Sequence, residues 1–533
     1  MYKYFIHNFS QSRLIIAVST FLVFFANYTF YKNVLITFPI NSENIWFLIS
    51  TVIVFISLIV FVFSLVSSKY TTKPILIIVV LISSLTNYFM NTYNVIIDDD
   101  MIRNLLQTDI QESLDLLTIK QVLYFIFLGI LPSFLIYKSH VKYRSFEREV
   151  FSKLKSLFIS LAIIAALIFS FFQHYTSLFR EHKPLRYTSN PTYWIYSIGT
   201  YIDRTYTSNI TTLSPLGRDA KVVTNSKQKK IVIMVVGEAA RADHFSLNGY
   251  SKKTNPLLEK ENVINFSNVY SCGTSTAISV PCMFSVFEKG DFDYQKGISY
   301  ENSLDVISHT KDVEILWRDN NSDSKGVAVR LPFEDYKGAD KNTICIEGEC
   351  RDIGLLVGLE DYIEQHKGKD ILIVLHQMGN HGPAYYKRYT KEFEIFEPVC
   401  KTNQIERCEQ EEISNAYDNA LLYTDYFLSE TIKFLKQYND SHHTAMIYMS
   451  DHGESLGENG IYLHGLPYFM APEAQIHVGS LAWFNESMSA EINAENIRKN
   501  KDRRYSQDNL FHTLLDIFDV ETEVYKENMS MFK

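Results

Sequence analysis

The sequence predicts an α/β protein carried on a membrane anchor: a five-helix transmembrane domain followed by an α/β/α sandwich. Three observations support this. Apolar windows of membrane length recur through the first 180 residues. After residue 230, short continuous apolar runs alternate with helical stretches. Polar groups able to do chemistry cluster at the ends of those runs.

At 533 residues the chain is long enough for more than one domain. Its 47% hydrophobic and 21% charged composition averages a strongly apolar first part and a mixed remainder. Residues 45–68, 74–97 and 156–179 are uncharged, and 14–31 and 121–137 are shorter windows of the same kind. A helix crosses the hydrocarbon core with about 20 apolar residues, so five spans are expected. A cleaved leader is excluded as the reading of the first window, because further spans follow and no small-residue cleavage site is evident.

Lys and Arg in the short loops set the orientation. Lys3 and Arg13 precede or open the first span, and Lys69 and Lys73 follow the second. Residues 138–155 hold six Lys/Arg against two Glu, whereas 98–120 hold six acids against two bases. The N-terminus is therefore expected inside and, after five crossings, the C-terminal domain outside, in a multi-pass membrane protein. The net charge of -9 argues against a nucleic-acid partner.

The expected domains are 1–180 for the membrane part, 181–229 for a bridge along the membrane surface, and 230–533 for the catalytic part. Pro184 and Pro191 interrupt any long helix in the bridge. All six cysteines (Cys272, Cys282, Cys345, Cys350, Cys400 and Cys408) follow the last span. They fall into three close pairs, and an oxidising compartment makes them disulfides, although six cysteines allow fifteen pairings.

Lys230-Ile231-Val232-Ile233-Met234-Val235-Val236 is a continuous apolar run, the mark of a strand buried on both faces. The pattern returns at Ile371-Leu372-Ile373-Val374-Leu375 and Thr444-Ala445-Met446-Ile447-Tyr448-Met449, and more weakly at Val313-Glu314-Ile315-Leu316-Trp317. Residues 413–438 have helical spacing. Alternating strands and helices predict a helix-flanked sheet, whose ligands gather outside the carboxyl ends of the strands. Glu238, His376 and Asp451 each lie within two residues of such an end.

Glu238, Asp451 and His452, joined by the Thr276 oxygen, make a four-donor set suited to Zn²⁺. A threonine hydroxyl is a weak nucleophile at neutral pH unless a dication activates it. Thr274 and Ser275 rival Thr276 in this role, and Thr276 could instead cap a short helix over 277–284. His381 and His464, both beside glycines, are candidates for proton transfer or a second metal. His376 is equally a core residue, and Lys325 a phosphate-binding or a solvated lysine.

Gly237-Glu238-Ala239-Ala240-Arg241, Ser271-Cys272-Gly273-Thr274-Ser275-Thr276-Ala277, Trp317-Arg318-Asp319-Asn320-Asn321 and the stretches 376–383 and 450–460 resemble the lipid A phosphoethanolamine transferases, mobile colistin-resistance enzymes included. These belong to the alkaline phosphatase-like superfamily, and the resemblance covers nearly the whole chain. It implies an alkaline phosphatase/sulfatase-like periplasmic domain with Thr276 as nucleophile. Glu238, Asp451 and His452 are then the zinc ligands, completed by Thr276, with a second Zn²⁺ expected near His381 and His464. It further implies that Asn321, Lys325, His381 and His464 contact phosphoethanolamine, and that Asn104, Thr108 and Glu112 bind lipid in an outward loop. Its disulfides are Cys272–Cys282, Cys345–Cys350 and Cys400–Cys408. The expected activity moves phosphoethanolamine from phosphatidylethanolamine to a phosphate of lipid A through a covalent threonine adduct. Lower surface charge and polymyxin resistance follow. A core sugar or periplasmic glycan is the alternative acceptor, and a monomer among membrane lipids is expected. The chain departs from its relatives in Ala239, where Thr or Ser is frequent, and around Gln475-Ile476-His477-Val478-Gly479-Ser480.

Overall fold

The computed structural model describes residues 8–533 except 109, 144, 207–212, 225, 227 and 347, and it leaves out the side chains of 8, 110–112 and 206. Lys3, Arg144 and the Glu112 side chain, all invoked above, lie outside the described residues. The chain forms two compact units. One comprises Met1–Ile102 and Leu117–Tyr201, the other Arg103–Leu116 and Ile202–Lys533.

The first unit is helical: α1 (Gln11–Phe25), α2 (Tyr28–Thr37), α3 (Ile45–Val66), α4 (Thr72–Tyr93), α5 (Ile119–Lys138) and α6 (Phe146–Ser170). Helices α3 to α6 are each long and apolar enough to cross a membrane, and α1 with α2 forms a fifth candidate bent by 61°. The window 14–31 is thus two helices rather than one. Asn27 explains the break. Its buried amide donates to the Leu22 carbonyl at 3.0 Å and to the Asn190 carbonyl at 2.6 Å, and it accepts from the Asn190 N–H at 2.8 Å. In a low-dielectric interior an amide with three such bonds is worth more than an uninterrupted helical ladder. Helix α6 starts ten residues before the apolar window at 156 and ends at Ser170. Hydropathy locates the part that suits lipid, while the helix also runs through the charged turns Glu147–Lys155 preceding it.

The second unit is built on a seven-stranded sheet. Its strands are β1 (Lys229–Gly237), β2 (Ile264–Asn265), β3 (Val313–Asp319), β4 (Phe333–Asp335), β5 (Asp370–His376), β6 (His442–Ser450) and β7 (Ser480–Phe484). Their order is β2-β7-β6-β1-β5-β3-β4, parallel from β6 to β4, with β7 and β2 antiparallel at one edge. On β1, Val232, Met234 and Val236 join a core that includes Leu372, Val374, Leu304, Leu510 and Phe511. Ile231, Ile233 and Val235 point to the other face and are as fully buried. This two-sided burial is what the continuous apolar runs encode.

The edge strands β2, β4 and β7 have no counterpart in the sequence reading. They span two, three and five residues, too few for a pattern to show. Three disulfides, Cys272–Cys282, Cys345–Cys350 and Cys400–Cys408, lie in this unit.

Candidate active site

The register of the parallel strands assembles the site. Ser450 pairs with Gly237, His376 with Val236, and Asp319 with His376. The residues that follow these pairs, Glu238 on one chain turn and Asp451-His452 on the next, therefore emerge side by side. The helix Thr276–Met283 begins against them, with Ser275 in its N-cap position.

Thr276 Oγ1 donates to Glu238 Oε2 at 3.2 Å and lies 3.4 Å from His452 Nε2. His452 Nε2 is 3.5 Å from Glu238 Oε1 and 3.4 Å from Asp451 Oδ2. Thr274, by contrast, turns its hydroxyl away to the Leu466 carbonyl at 2.7 Å. Thr276 is the first helical residue rather than the cap, so its hydroxyl is not spent on the helix end.

All four side chains are buried. Glu238 Oε1 and Asp451 Oδ2 have no hydrogen-bond partner among the described residues. Burial, followed by the charge of Asp451, pushes the Glu238 carboxyl above its ordinary value. His452 Nδ1 is 2.8 Å from the Gly453 carbonyl, which can only accept, so Nδ1 donates there and Nε2 is turned toward the carboxylates. Two orphaned carboxylate oxygens and an imidazole nitrogen converging within 4.8 Å fit a cation, and their N and O character suits Zn²⁺.

The cluster is tightly framed. Asn321 Nδ2 donates to Glu238 Oε2 and to the Gln377 carbonyl, each at 2.9 Å. Asp451 Oδ1 accepts from the Ala239 and His452 N–H groups at 3.1 and 2.7 Å. Ala239 holds a positive φ of 53°, a conformation that costs a non-glycine residue on the order of 1 kcal/mol and that the surrounding bonds maintain.

A second group adjoins the first. His452, Glu454 and His464 bring ligand atoms within 4.8 Å of one another. His464 Nδ1 meets Glu454 Oε2 at 2.7 Å, and Tyr385 donates to the other oxygen at 2.7 Å. Burial disfavours the charged form of His464, but the Glu454 carboxylate outweighs it and raises the histidine's pKa. The His381 ring lies 6.2 Å from that of His464.

Other expected contacts are less direct. Lys325 is buried, with Nζ on the Ser322 carbonyl at 2.8 Å and the Gln107 carbonyl at 3.3 Å. Thr108 donates to the Asn104 carbonyl at 2.8 Å, and among the described residues neither bonds to the Thr276 cluster. His376 is a core residue paired with Asp319 at 2.9 Å.

Gln507 escaped the sequence reading because it lies more than 50 residues from every group it serves. Its amide donates to the Ser450 and Asp451 carbonyls at 2.8 and 2.6 Å and accepts from the Cys272 N–H at 2.7 Å. It ties the threonine-bearing loop to the loop that follows β6. Gln507→Leu strands three buried backbone groups, so it is expected to cost at least about 2 kcal/mol and to depress activity. Chemical denaturation beside an activity assay checks this; an unchanged midpoint would show that water or another side chain replaces it.

A membrane-anchored unit joined to an alkaline phosphatase-like sandwich, with its acidic–imidazole cluster at the carboxyl edge of the sheet, defines a class of membrane-bound group-transfer and hydrolytic enzymes. Residues 230–520 match the Sulfatase family and residues 55–206 match "Phosphoethanolamine transferase EptA/EptB". The chain is 42% identical to phosphatidylethanolamine transferase Mcr-1 of Escherichia coli, over 98% of its own length and 97% of that protein's. It is 38% identical to phosphoethanolamine transferase EptA of Escherichia coli K12, over 94% and 92% respectively. The solved structure of lipooligosaccharide phosphoethanolamine transferase A from Neisseria meningitidis superposes with a TM-score of 0.94 at 33% identity, covering 98% of this chain and 99% of that one. The chain belongs to the phosphoethanolamine transferase family.

Proposed function

We propose that this enzyme transfers phosphoethanolamine from phosphatidylethanolamine to a phosphate of lipid A, with Thr276 as the covalent carrier. The observation that supports it best is the Thr276 hydroxyl, bonded to Glu238 and aimed at His452 in a cluster short of positive charge. Glu238, Asp451, His452 and Thr276 would hold one zinc ion, and the His452–Glu454–His464 group supports a second. When bound, the ion lowers the pKa of the threonine hydroxyl and offsets charge on the phosphoryl group.

Glu238, itself steadied by Asn321, keeps Oγ1 of Thr276 pointed into the cluster. Oγ1 gives up its proton to water and attacks the phosphorus of phosphatidylethanolamine, and the phosphorus–oxygen bond to diacylglycerol breaks. As the alternative to holding a second ion, His464, hydrogen-bonded to Glu454, is placed to supply the proton that the departing oxygen needs. In the second half-reaction a lipid A phosphate oxygen attacks the same phosphorus, the bond to Thr276 breaks, and the hydroxyl regains its proton. His381, close to His464, is placed to serve the attacking or leaving oxygen. Two displacements predict ping-pong kinetics.

In this reading the catalytic unit works in the periplasm of a Gram-negative bacterium, with the N-terminus in the cytoplasm. The bases of residues 138–155 and the placement of every cysteine in the catalytic unit support that orientation. The domain limits 1–180, 181–229 and 230–533 are proposed as the functional divisions, with residues 103–116 working beside the catalytic part. Each transferred group adds an ammonium to the acceptor, which weakens attraction of cationic peptides such as polymyxins.

Mass spectrometry of lipid A from a Gram-negative host tests the acceptor. Cells expressing the chain are expected to gain a phosphoethanolamine increment that an empty vector lacks, together with reduced polymyxin susceptibility. An unmodified lipid A despite protein in the membrane overturns that acceptor, and the increment is then sought on core sugars and glycans.

A further inference from the structure

Arg388 is a junction that the chemistry above leaves unused. It is almost fully buried, and each face of its guanidinium is committed. Nε donates to the His381 carbonyl at 2.8 Å, one terminal nitrogen meets Glu349 at 2.7 Å, and the other meets Asp115 at 2.6 Å. Asp115 also takes Lys387 Nζ at 2.5 Å, and its carbonyl accepts from Asn403 at 2.9 Å. Two carboxylates thus balance two cations in a buried network, where removal of one partner leaves a charge uncompensated.

Asp115 lies near the end of residues 103–116, a short stretch that falls in sequence between α4 and α5 and packs within the catalytic unit. The stretch is tied near its start as well. Gln107 donates to Tyr294 at 2.9 Å, its carbonyl accepts from Lys325, and Arg103 lies over the Tyr294 ring at 4.0 Å. Asp115 and Arg388 also border a small cleft whose lining includes Met378 and reaches Asn321 and His381 of the site. Burial pushes the Asp115 carboxyl up, but the charges of Arg388 and Lys387 outweigh it and hold it below the usual carboxylate range.

We propose that Asp115 and Arg388 are a positioning pair: they pin the Asp115 end of the 103–116 stretch at the border of this cleft and thereby set how tightly the lipid donor is held, without taking part in the phosphorus chemistry. The kinetic half of this inference rests on the donor assigned above; the pinning does not.

Full-length Asp115→Asn, Asp115→Glu and Lys387→Gln proteins in detergent micelles provide the test. Hydrogen exchange in peptides from 103–116 is expected to accelerate at least about tenfold in Asp115→Asn and less in Lys387→Gln, with exchange of β1 and β6 unchanged. The KM for phosphatidylethanolamine, followed by diacylglycerol release, is expected to rise about tenfold, with kcat within about twofold. Asp115→Glu restores most of both. Unaltered exchange in 103–116, faster exchange with an unaltered KM, or a fall in kcat alone each overturns the proposal. Lys387→Gln keeps the test decisive if Asp115→Asn fails to fold, since Arg388 remains to hold Asp115. If the unmutated enzyme releases no diacylglycerol, the donor assignment fails, and the exchange measurements alone decide the pin.

Discussion

Thr276→Ala is expected to abolish transfer, with a loss on the order of 10⁴-fold or more, the scale on which removal of a covalent nucleophile acts. The substitution leaves the Glu238 and Asp451 carboxylates and the His452 imidazole in place, so the protein should fold and still bind the donor. Intact-mass spectrometry of the unmutated enzyme incubated with phosphatidylethanolamine and no acceptor should show a phosphoethanolamine increment that maps to the 272–282 loop. The increment should be missing from Thr276→Ala and present in Thr274→Ala. The contrast follows from geometry: the Thr274 hydroxyl is occupied by the Leu466 carbonyl, whereas that of Thr276 faces Glu238 and His452. An adduct that persists in Thr276→Ala would exclude it as the carrier.

Removing the cation is expected to have the second-largest effect, and one variant should lose most of it. Glu238 and Asp451 are buried side by side with an unpartnered oxygen each, so the metal-free site stores like-charge repulsion. An ion present at about 1,000 times its Kd stabilises by about 4 kcal/mol, so chelation should lower the melting temperature on the order of 10 °C and eliminate transfer. Asp451→Asn keeps the acceptor oxygen that receives the Ala239 and His452 N–H groups but replaces the orphaned oxygen by a donor. The metal-free variant should therefore melt above the metal-free unmutated protein, while added Zn²⁺ stabilises it little. Thermal melts with chelator and with Zn²⁺ check this. A melting temperature of the unmutated protein that ignores the chelator would remove the metal from the account.

What the sequence could and could not convey follows from the range of the interactions. The central strands β1, β5 and β6 were legible because burial on both faces forces a continuous apolar run. The adjacency of Glu238 and Asp451-His452 was also within reach, since strand ends converge in a parallel sheet. Spacing did not separate Thr276 from Thr274 and Ser275; the directions of the Thr274 and Thr276 hydroxyls favour Thr276 over Thr274. The kink at Asn27 was hidden because its partner Asn190 lies 163 residues away. The links from Gln507 to Cys272 and from Asp115 to Arg388 span 235 and 273 residues and leave no local trace.

The parallel register has a practical corollary. Because Glu238, His381, Asp451 and His452 all follow the carboxyl ends of β1, β5 and β6, the proposed chemistry lies away from the amino ends of the strands. The turns that feed those ends, Lys367-Gly368 before β5 and Asn439-Asp440-Ser441 before β6, are exposed. An antibody fragment, a fluorophore or an immobilising tether attached there grips the molecule from behind. The reactive edge stays open to substrate, so labelled protein can be watched while it turns over.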